Sequence, residues 1–243
     1  MPHYRIADFL FAIEPRYPLL ASICEKYLDT AGETPDCTVC VTDEDIAAVT
    51  ALPEGYSEAY GESLSACRAV CDYATAQGAL MLHAAVIEVD GKAYAFCAPS
   101  GTGKSTHISL WRRRFGTRVQ IINGDKPLLR EKDGIFTVYG TPWCGKEGWN
   151  RNVSAPLAGV CFLERAMENA IERIAPDAAI EPIFRQLLKP KDAASVMQTM
   201  HLADLLLSTV PVYKLECNIS EEAAEIAFAA MVGKPIPMKK EGE

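Results

Sequence analysis

Apolar positions over the first 80 residues come in short runs with alternating helical and strand-like spacing. Tyr4 to Glu14 reads as a strand, Pro18 to Leu28 as a helix, Thr38 to Val41 as a strand and Gly61 to Gly78 as a helix. The stretches Gly32-Glu33-Thr34-Pro35 and Leu52-Pro53-Glu54-Gly55 separate them as loops. From Met81 the pattern changes. His83 to Val89 is a strand, Asp90-Gly91 is a hairpin signal, and Ala93 to Cys97 is the returning strand. A glycine-rich stretch, Ala98 to Thr106, then leads into a helical run from His107 to Phe115. Arg118 to Ile122 is a further strand, and Leu128 to Arg130 with Ile135 to Tyr139 forms a second hairpin turned at Asp133-Gly134. A loop, Gly140-Thr141-Pro142-Trp143-Cys144-Gly145-Lys146, precedes the apolar strand Leu157 to Leu163, with which Ala170 to Ile174 is expected to pair. Val196, Met200, Ala203 and Leu207 recur at helical spacing and predict a core-facing stripe. Pro211 ends that helix, Val212 to Cys217 is a last strand, and Ser220 and Gly233 bracket a final helix before a tail from Lys239 to Glu243. The expectation is an α/β fold with a mixed sheet over residues 81–243, preceded by a small α+β lobe over residues 1–80.

Composition narrows the function classes. The chain has 243 residues, 49% of them apolar and 23% charged, with a net charge of −8. That balance disfavours a nucleic-acid partner or an anionic membrane surface, because both attract basic faces. The run Arg112-Arg113-Arg114 spreads around a helix and reads as a solvated face. No stretch approaches the ~20 apolar residues needed to cross a bilayer. Asp8 and Glu14 interrupt the first apolar run, so no signal peptide is expected and the expected compartment is the cytoplasm. The nine cysteines are then expected as free thiols. Cys37 and Cys40, with Cys67 and Cys71, have metal-site spacing. Residues 37–42 alternate like a strand, however, and residues 67–71 lie in a helical run, so packing is the preferred reading.

The candidate chemistry centres on Ser100-Gly101-Thr102-Gly103-Lys104-Ser105-Thr106, which sits between a strand and a helix. Such a turn aims backbone N–H groups at a phosphate chain, and the following helix adds its positive end. Lys104 suits the β- and γ-phosphates and the Ser105 hydroxyl suits Mg²⁺. Ala98 stands where the pattern has its first glycine. Asp125 ends the next apolar strand, where a carboxylate serves as a Mg²⁺ ligand and candidate base. His83 begins the strand before the loop's own strand, and tight hairpin pairing would bring it to the loop. Lys146 and Arg151 are candidates for stabilising a transferred phosphoryl group, and Trp143 and Trp149 for covering an organic substrate.

The order of Met81-Leu82-His83-Ala84-Ala85, the Asp90-Gly91 hairpin, Ala98 to Thr106, Ile122-Asn123-Gly124-Asp125 and Trp143-Cys144-Gly145-Lys146 resembles the nucleotide-binding domain shared by phosphoenolpyruvate carboxykinase and HPr kinase/phosphorylase. The segments Gly124 to Pro127, Pro142 to Lys146 and Val210 to Tyr213 are also similar to a group of small HPr-kinase-like proteins. The resemblance covers about residues 80–232. It implies the P-loop fold of that superfamily, with His83 and Asp125 on the catalytic metal and Lys146 near the transferred phosphate. Gly124 departs from it, standing where the first Asp of a pair would be. A target-binding C-terminal segment has no match, and the first 80 residues offer no counterpart to the carboxykinase substrate domain.

Together these readings predict a Mg²⁺-dependent phosphotransferase using ATP (or ADP or pyrophosphate) as donor. The acceptor would be a hydroxyl of a small molecule, free serine or a peptide serine. Two alternatives stand beside it. One is a non-catalytic nucleotide-binding accessory protein, motivated by Gly124. The other is an unrelated P-loop ATPase or GTPase, weakened by the lack of an Asn-Lys-x-Asp guanine motif. The sequence leaves the oligomeric state open.

Overall fold

A computed structural model describes residues 1–190 and 192–236. The expected tail from Lys239 to Glu243 lies outside them. The first part of the chain runs β1 (His3–Ile6), β2 (Phe9–Ile13), α1 (Pro18–Cys24), β3 (Leu28–Asp29), β4 (Cys37–Val39), α2 (Asp43–Thr50) and α3 (Glu58–Ala76). Its strands form a sheet in the order β3-β1-β2-β4.

The single strand expected over Tyr4 to Glu14 is in fact a hairpin. Ala7 (φ 52°) and Asp8 (φ 64°) turn the chain, and Ile6 pairs with Phe9. Both arms are apolar, so hydropathy alone does not reveal the turn. The helix expected from Pro18 stops at Cys24, and a 3₁₀ turn over Glu25–Tyr27 carries the chain into β3. The α2 helix was not anticipated because only Ile46 of its residues is buried. It is set instead by a capping box, in which Thr42 N donates to Asp45 Oδ2 at 3.0 Å and Asp45 N to Thr42 Oγ1 at 3.2 Å.

The larger part runs β5 (Ala79–Met81), β6 (Ala84–Val89), β7 (Lys92–Cys97), α4 (Lys104–Phe115), β8 (Val119–Asn123), β9 (Leu128–Lys132), β10 (Ile135–Tyr139), β11 (Ser154–Arg165), β12 (Ala170–Ile174), α5 (Pro176–Gln186), α6 (Ala193–Thr209), β13 (Val212–Cys217) and α7 (Glu221–Val232). The strands make one curled mixed sheet, β5-β9-β10-β11-β7-β6-β8, with β13 and then β12 added beside β11. The long β11 joins its two halves. Its start pairs antiparallel with β10, and its end runs parallel to both β7 and β13.

Strands β6 and β7 are covered on both faces, as their near-continuous apolar sequence requires. Ala84, Val86, Ala93 and Ala95 share a core with Ile183 of α5 and Leu206 of α6. Ala85, Ile87, Tyr94 and Phe96 share another with Trp111 of α4 and Phe228 of α7.

Three expectations change here. Strand β12 pairs with β13 rather than with β11, because β13 occupies that edge of β11 and leaves β12 outermost. The buried stripe of α6 is rotated by one position: Val196 and Met200 are exposed, while Ser195, Thr199, Leu202, Ala203, Leu206 and Leu207 are buried. Polar Thr199 tolerates burial because its Oγ1 donates to Ser195 O at 2.8 Å. Ser220 occupies the N-cap of α7, but its hydroxyl accepts from Asn169 Nδ2 at 3.0 Å and does not cap the helix.

A division at residues 80/81 falls inside β5, a strand of the larger sheet paired with β9. The core under β1 and β2 also takes in Met81, Leu128 and Trp143. The two parts therefore share apolar packing across that boundary.

Candidate functional site

The Asp90-Gly91 turn sets the geometry. Both residues take positive φ, 53° and 77°, as a two-residue hairpin loop requires. The register runs from Val89↔Lys92 to Ala84↔Cys97, which brings His83 beside the glycine-rich loop. In that loop Gly101 (φ 78°) and Gly103 (φ 125°) need their freedom from a Cβ. Ala98 is not among the positive-φ residues, so the missing first glycine carries no conformational penalty. The ammonium of Lys104, the first residue of α4, donates to Ala98 O at 2.8 Å and lies 3.0 Å from His83 Nε2. Arg165, which lines a cavity beside the loop, donates to the carbonyls of Gly101 and Thr102.

His83 Nε2 is 3.1 Å from Asp125 Oδ1. The other ring nitrogen, Nδ1, is 3.1 Å from Gln186 Oε1, and the His83 backbone N–H donates to Gln186 O at 2.7 Å. With Nδ1–H donating to Gln186, the Nε2 lone pair is free to accept from the Lys104 ammonium and faces a carboxylate oxygen. Asp125 Oδ2 pairs with Lys126 Nζ. Burial would raise the Asp125 carboxyl, but the His83 ring and the Lys126 ammonium outweigh it and hold it at about 2. Asp125 therefore stays a carboxylate, suited to holding a cation. Burial lowers the Lys104 ammonium, with the Asp125 charge acting against it. Lys126, bonded directly to Asp125, is raised despite its burial.

The Asp125 turn is fixed by Asn123, whose Oδ1 accepts the N–H groups of Asp125 and Lys126, both at 2.9 Å. Asn123 and Asn150 both donate to Thr141 O at 3.0 Å, and Thr141 Oγ1 donates to Lys126 O at 2.6 Å. The loop of residues 140–151 is thereby laid against the end of β8. Two glycines permit the approach: a Cβ on Gly124 would stand 2.6 Å from Cys144 O, and one on Gly140 1.9 Å from Arg151 O. Gly124 is thus a packing requirement. The Cys144 carbonyl fills the space that an Asp side chain at this position would enter.

One cavity of about 440 Å³ collects most of the sequence-predicted residues. His83, Ser100, Gly101, Gly103, Lys104, Ser105, Thr106, Asp125 and Lys146 line it, joined by Glu147. Thr102 lines an adjoining cavity of about 340 Å³ with Leu110, Leu163, Asn218 and Ile219. Arg151 is not brought to the site. It lines a separate cavity beside α4 and β8, with its guanidinium 3.4 Å from Gln120 Oε1. Trp149 lines that same cavity, and Trp143 is buried with its Nε1–H donating to Ser63 O at 2.9 Å.

Sequence reasoning gave Gln186, Arg165 and Glu147 no role. Gln186 and Arg165 reach the site only through α5 and β11, and nothing local marks them. Glu147 had one signal, its place next to Lys146.

Among the described residues no three His, Cys, Asp or Glu side chains gather into a metal cluster, the four cysteines Cys37, Cys40, Cys67 and Cys71 included. The Asp125 carboxylate and the Ser105 hydroxyl are oxygen donors of the kind that hold Mg²⁺ together with water and phosphate oxygens, while His83 adds a nitrogen donor, a type more usual for transition metals. None of the described helices is long and apolar enough to cross a membrane.

The family model described as SynChlorMet cassette protein ScmC matches residues 62–226. The solved structure of the Hpr(Ser) kinase/phosphatase from Coxiella burnetii is similar over 63% of this chain and 95% of that chain, with 10% sequence identity and a TM-score of 0.37. No curated protein matches the chain.

Proposed function

The chain belongs to the ScmC family, and for it we propose a Mg²⁺-dependent phosphotransferase that moves a phosphoryl group from ATP, or a related donor, to an alcohol. The observation that carries this reading is the convergence of His83, Lys104, Ser105, Asp125 and Lys146 on one cavity, from segments more than 60 residues apart at the extremes. The apolar walls and side-chain amide of the adjoining cavity at Leu110, Leu163 and Asn218 suit a nucleobase.

Each residue has a physical task. The loop amides and Lys104 hold the phosphate chain and offset its charge. His83, Asp125 and Ser105 would hold Mg²⁺, which when bound neutralises charge on the phosphate oxygens. Asp125 orients the acceptor hydroxyl, and Lys146 meets charge developing on the transferred group. The bond from the terminal phosphorus to its bridging oxygen breaks as the acceptor oxygen–phosphorus bond forms. The hydroxyl proton leaves to a carboxylate of the site, Asp125 or Glu147.

Gly124 favours a second reading, a non-catalytic nucleotide-binding accessory protein, since one carboxylate of the related pair is absent. Incubation with Mg²⁺ and γ-labelled ATP, with small-molecule and peptide pools in separate reactions, decides between them. Label on a discrete acceptor, lost in Asp125→Asn, supports the phosphotransferase. Nucleotide binding without transfer, also with ADP and pyrophosphate, supports the accessory role.

A further inference from the structure

A second cavity, of about 420 Å³, also has Asp125 in its lining. Its walls come from three places: Leu19 and Ile23 of α1, Tyr60 and Leu64 of α3, and Trp143 of the 140–151 loop. Asp125, Gly145 and Lys146 line both this cavity and the one at the glycine-rich loop, so the two spaces meet at these three residues. Gly145 sits at that junction with φ 79°, and a Cβ there would make ordinary contact with Asp125 Cβ at 3.4 Å and Glu147 Oε2 at 3.5 Å.

The chemistry on the two sides differs. The loop side is built for anions, with Lys104 and helix-terminal N–H groups. The side toward the N-terminal lobe is mostly apolar. Leu19 and Tyr60 remain partly open to solvent, at 37% and 39% exposure. The volume lies in the range of small-molecule sites. The charges of its lining are Asp125 and Lys126, which pair with each other, and Lys146, which also lines the loop side.

We propose that this interlobe cavity is the acceptor site, and that the acceptor is an alcohol with an uncharged apolar body. The body lies among Leu19, Ile23, Tyr60, Leu64 and Trp143, and its hydroxyl reaches Asp125. The reaction assigned to that hydroxyl rests on the phosphotransferase reading; the binding chemistry does not. The same body is available in a free alcohol or in a residue of a peptide, and the test separates these sources.

The full chain is titrated with L-serine, ethanol, 4-methylpentan-1-ol, 3-phenylpropan-1-ol and N-acetyl-Leu-Ser-Leu-amide, with binding followed by ligand-detected NMR and transfer by label from ATP. Affinity is expected to rise about fourfold for each buried methylene, with L-serine among the weakest ligands. Leu19→Ser and Tyr60→Ser, both at exposed positions, are each expected to weaken 3-phenylpropan-1-ol about tenfold and to leave ATP affinity unchanged. A peptide that binds more tightly than the free alcohols identifies the peptide source; the reverse identifies the free one. Affinity that ignores chain length, or that both substitutions leave intact, overturns the proposal. Binding with this pattern but no transfer keeps the cavity assignment and removes the phosphotransferase reading. Transfer to serine with a KM insensitive to Leu19→Ser and Tyr60→Ser does the opposite.

Discussion

The two cavities that meet at Asp125 are built in opposite ways. The loop-side cavity draws mainly on the stretch from His83 to Asp125, folded by a two-residue hairpin and a strand–loop–helix unit, and is closed by Gly145, Lys146 and Glu147 of the 140–151 loop. The interlobe cavity draws on α1, α3 and the 140–151 loop, none adjacent in sequence. The first is polar and held by side-chain hydrogen bonds and ion pairs among His83, Lys104, Asp125 and Gln186. The second is mostly apolar, and one of its walls, Trp143, belongs to the core under β1 and β2. A site of the first kind leaves a motif in the chain, whereas a site of the second kind leaves only scattered apolar residues.

Substitutions can break this contrast at graded strength. The largest effect is expected from Lys104→Ala, which removes the buried cation of the loop side: a loss of about 100-fold or more in turnover with Mg²⁺–ATP. Alcohol binding in the other cavity should persist, and its loss would show that the two spaces are not independent.

Gly124→Asp comes next. Its Cβ would meet Cys144 O at 2.6 Å, so the 140–151 loop must lift, at about 2–4 kcal/mol measured by urea unfolding. If the variant is as stable as the parent, the close loop contact is not what Gly124 serves.

A pH titration sharpens the Asp125 side. Its carboxyl falls from an ordinary 3.8 to about 2 in the folded chain. Because the folded value is the lower one, the charge contributes about 2 kcal/mol above pH 4, and this is lost as pH falls through 4 toward 2. In metal-free buffer, Asp125→Asn should therefore be less stable than the parent at pH 6, with the gap closing as pH falls toward 2. A gap that is constant with pH would mean that the carboxylate's charge is not what stabilises the turn.

Trp143→Phe removes the Nε1–H bond to Ser63 and is expected to lower stability by about 1 kcal/mol. It should weaken 3-phenylpropan-1-ol more than ATP, as measured by parallel titrations. The smallest effect belongs to Arg151→Ala. Its guanidinium lines a different cavity, so turnover should stay within about twofold of the parent. A large loss there would place Arg151 at the reacting phosphate after all.

Sequence pattern alone determined the parts of this protein whose physics is local. Asp90-Gly91 implies a positive-φ hairpin, the hairpin fixes a register, and the register brings His83 to Lys104. Gly101 and Gly103 were legible for the same reason, since only a missing Cβ permits their backbone. Tertiary structure decided what depends on approach between distant segments. It rotated the α6 stripe and placed β13 between β11 and β12. It brought Gln186 to His83 and Arg165 to the carbonyls of Gly101 and Thr102, and it carried Arg151 away from Asp125 while keeping Lys146 beside it. It also gave Gly124 its reason, a carbonyl from 20 residues further along the chain resting against its Cα. Turn chemistry acts over two or three residues and can be read in order, whereas packing acts through space and has no order to read.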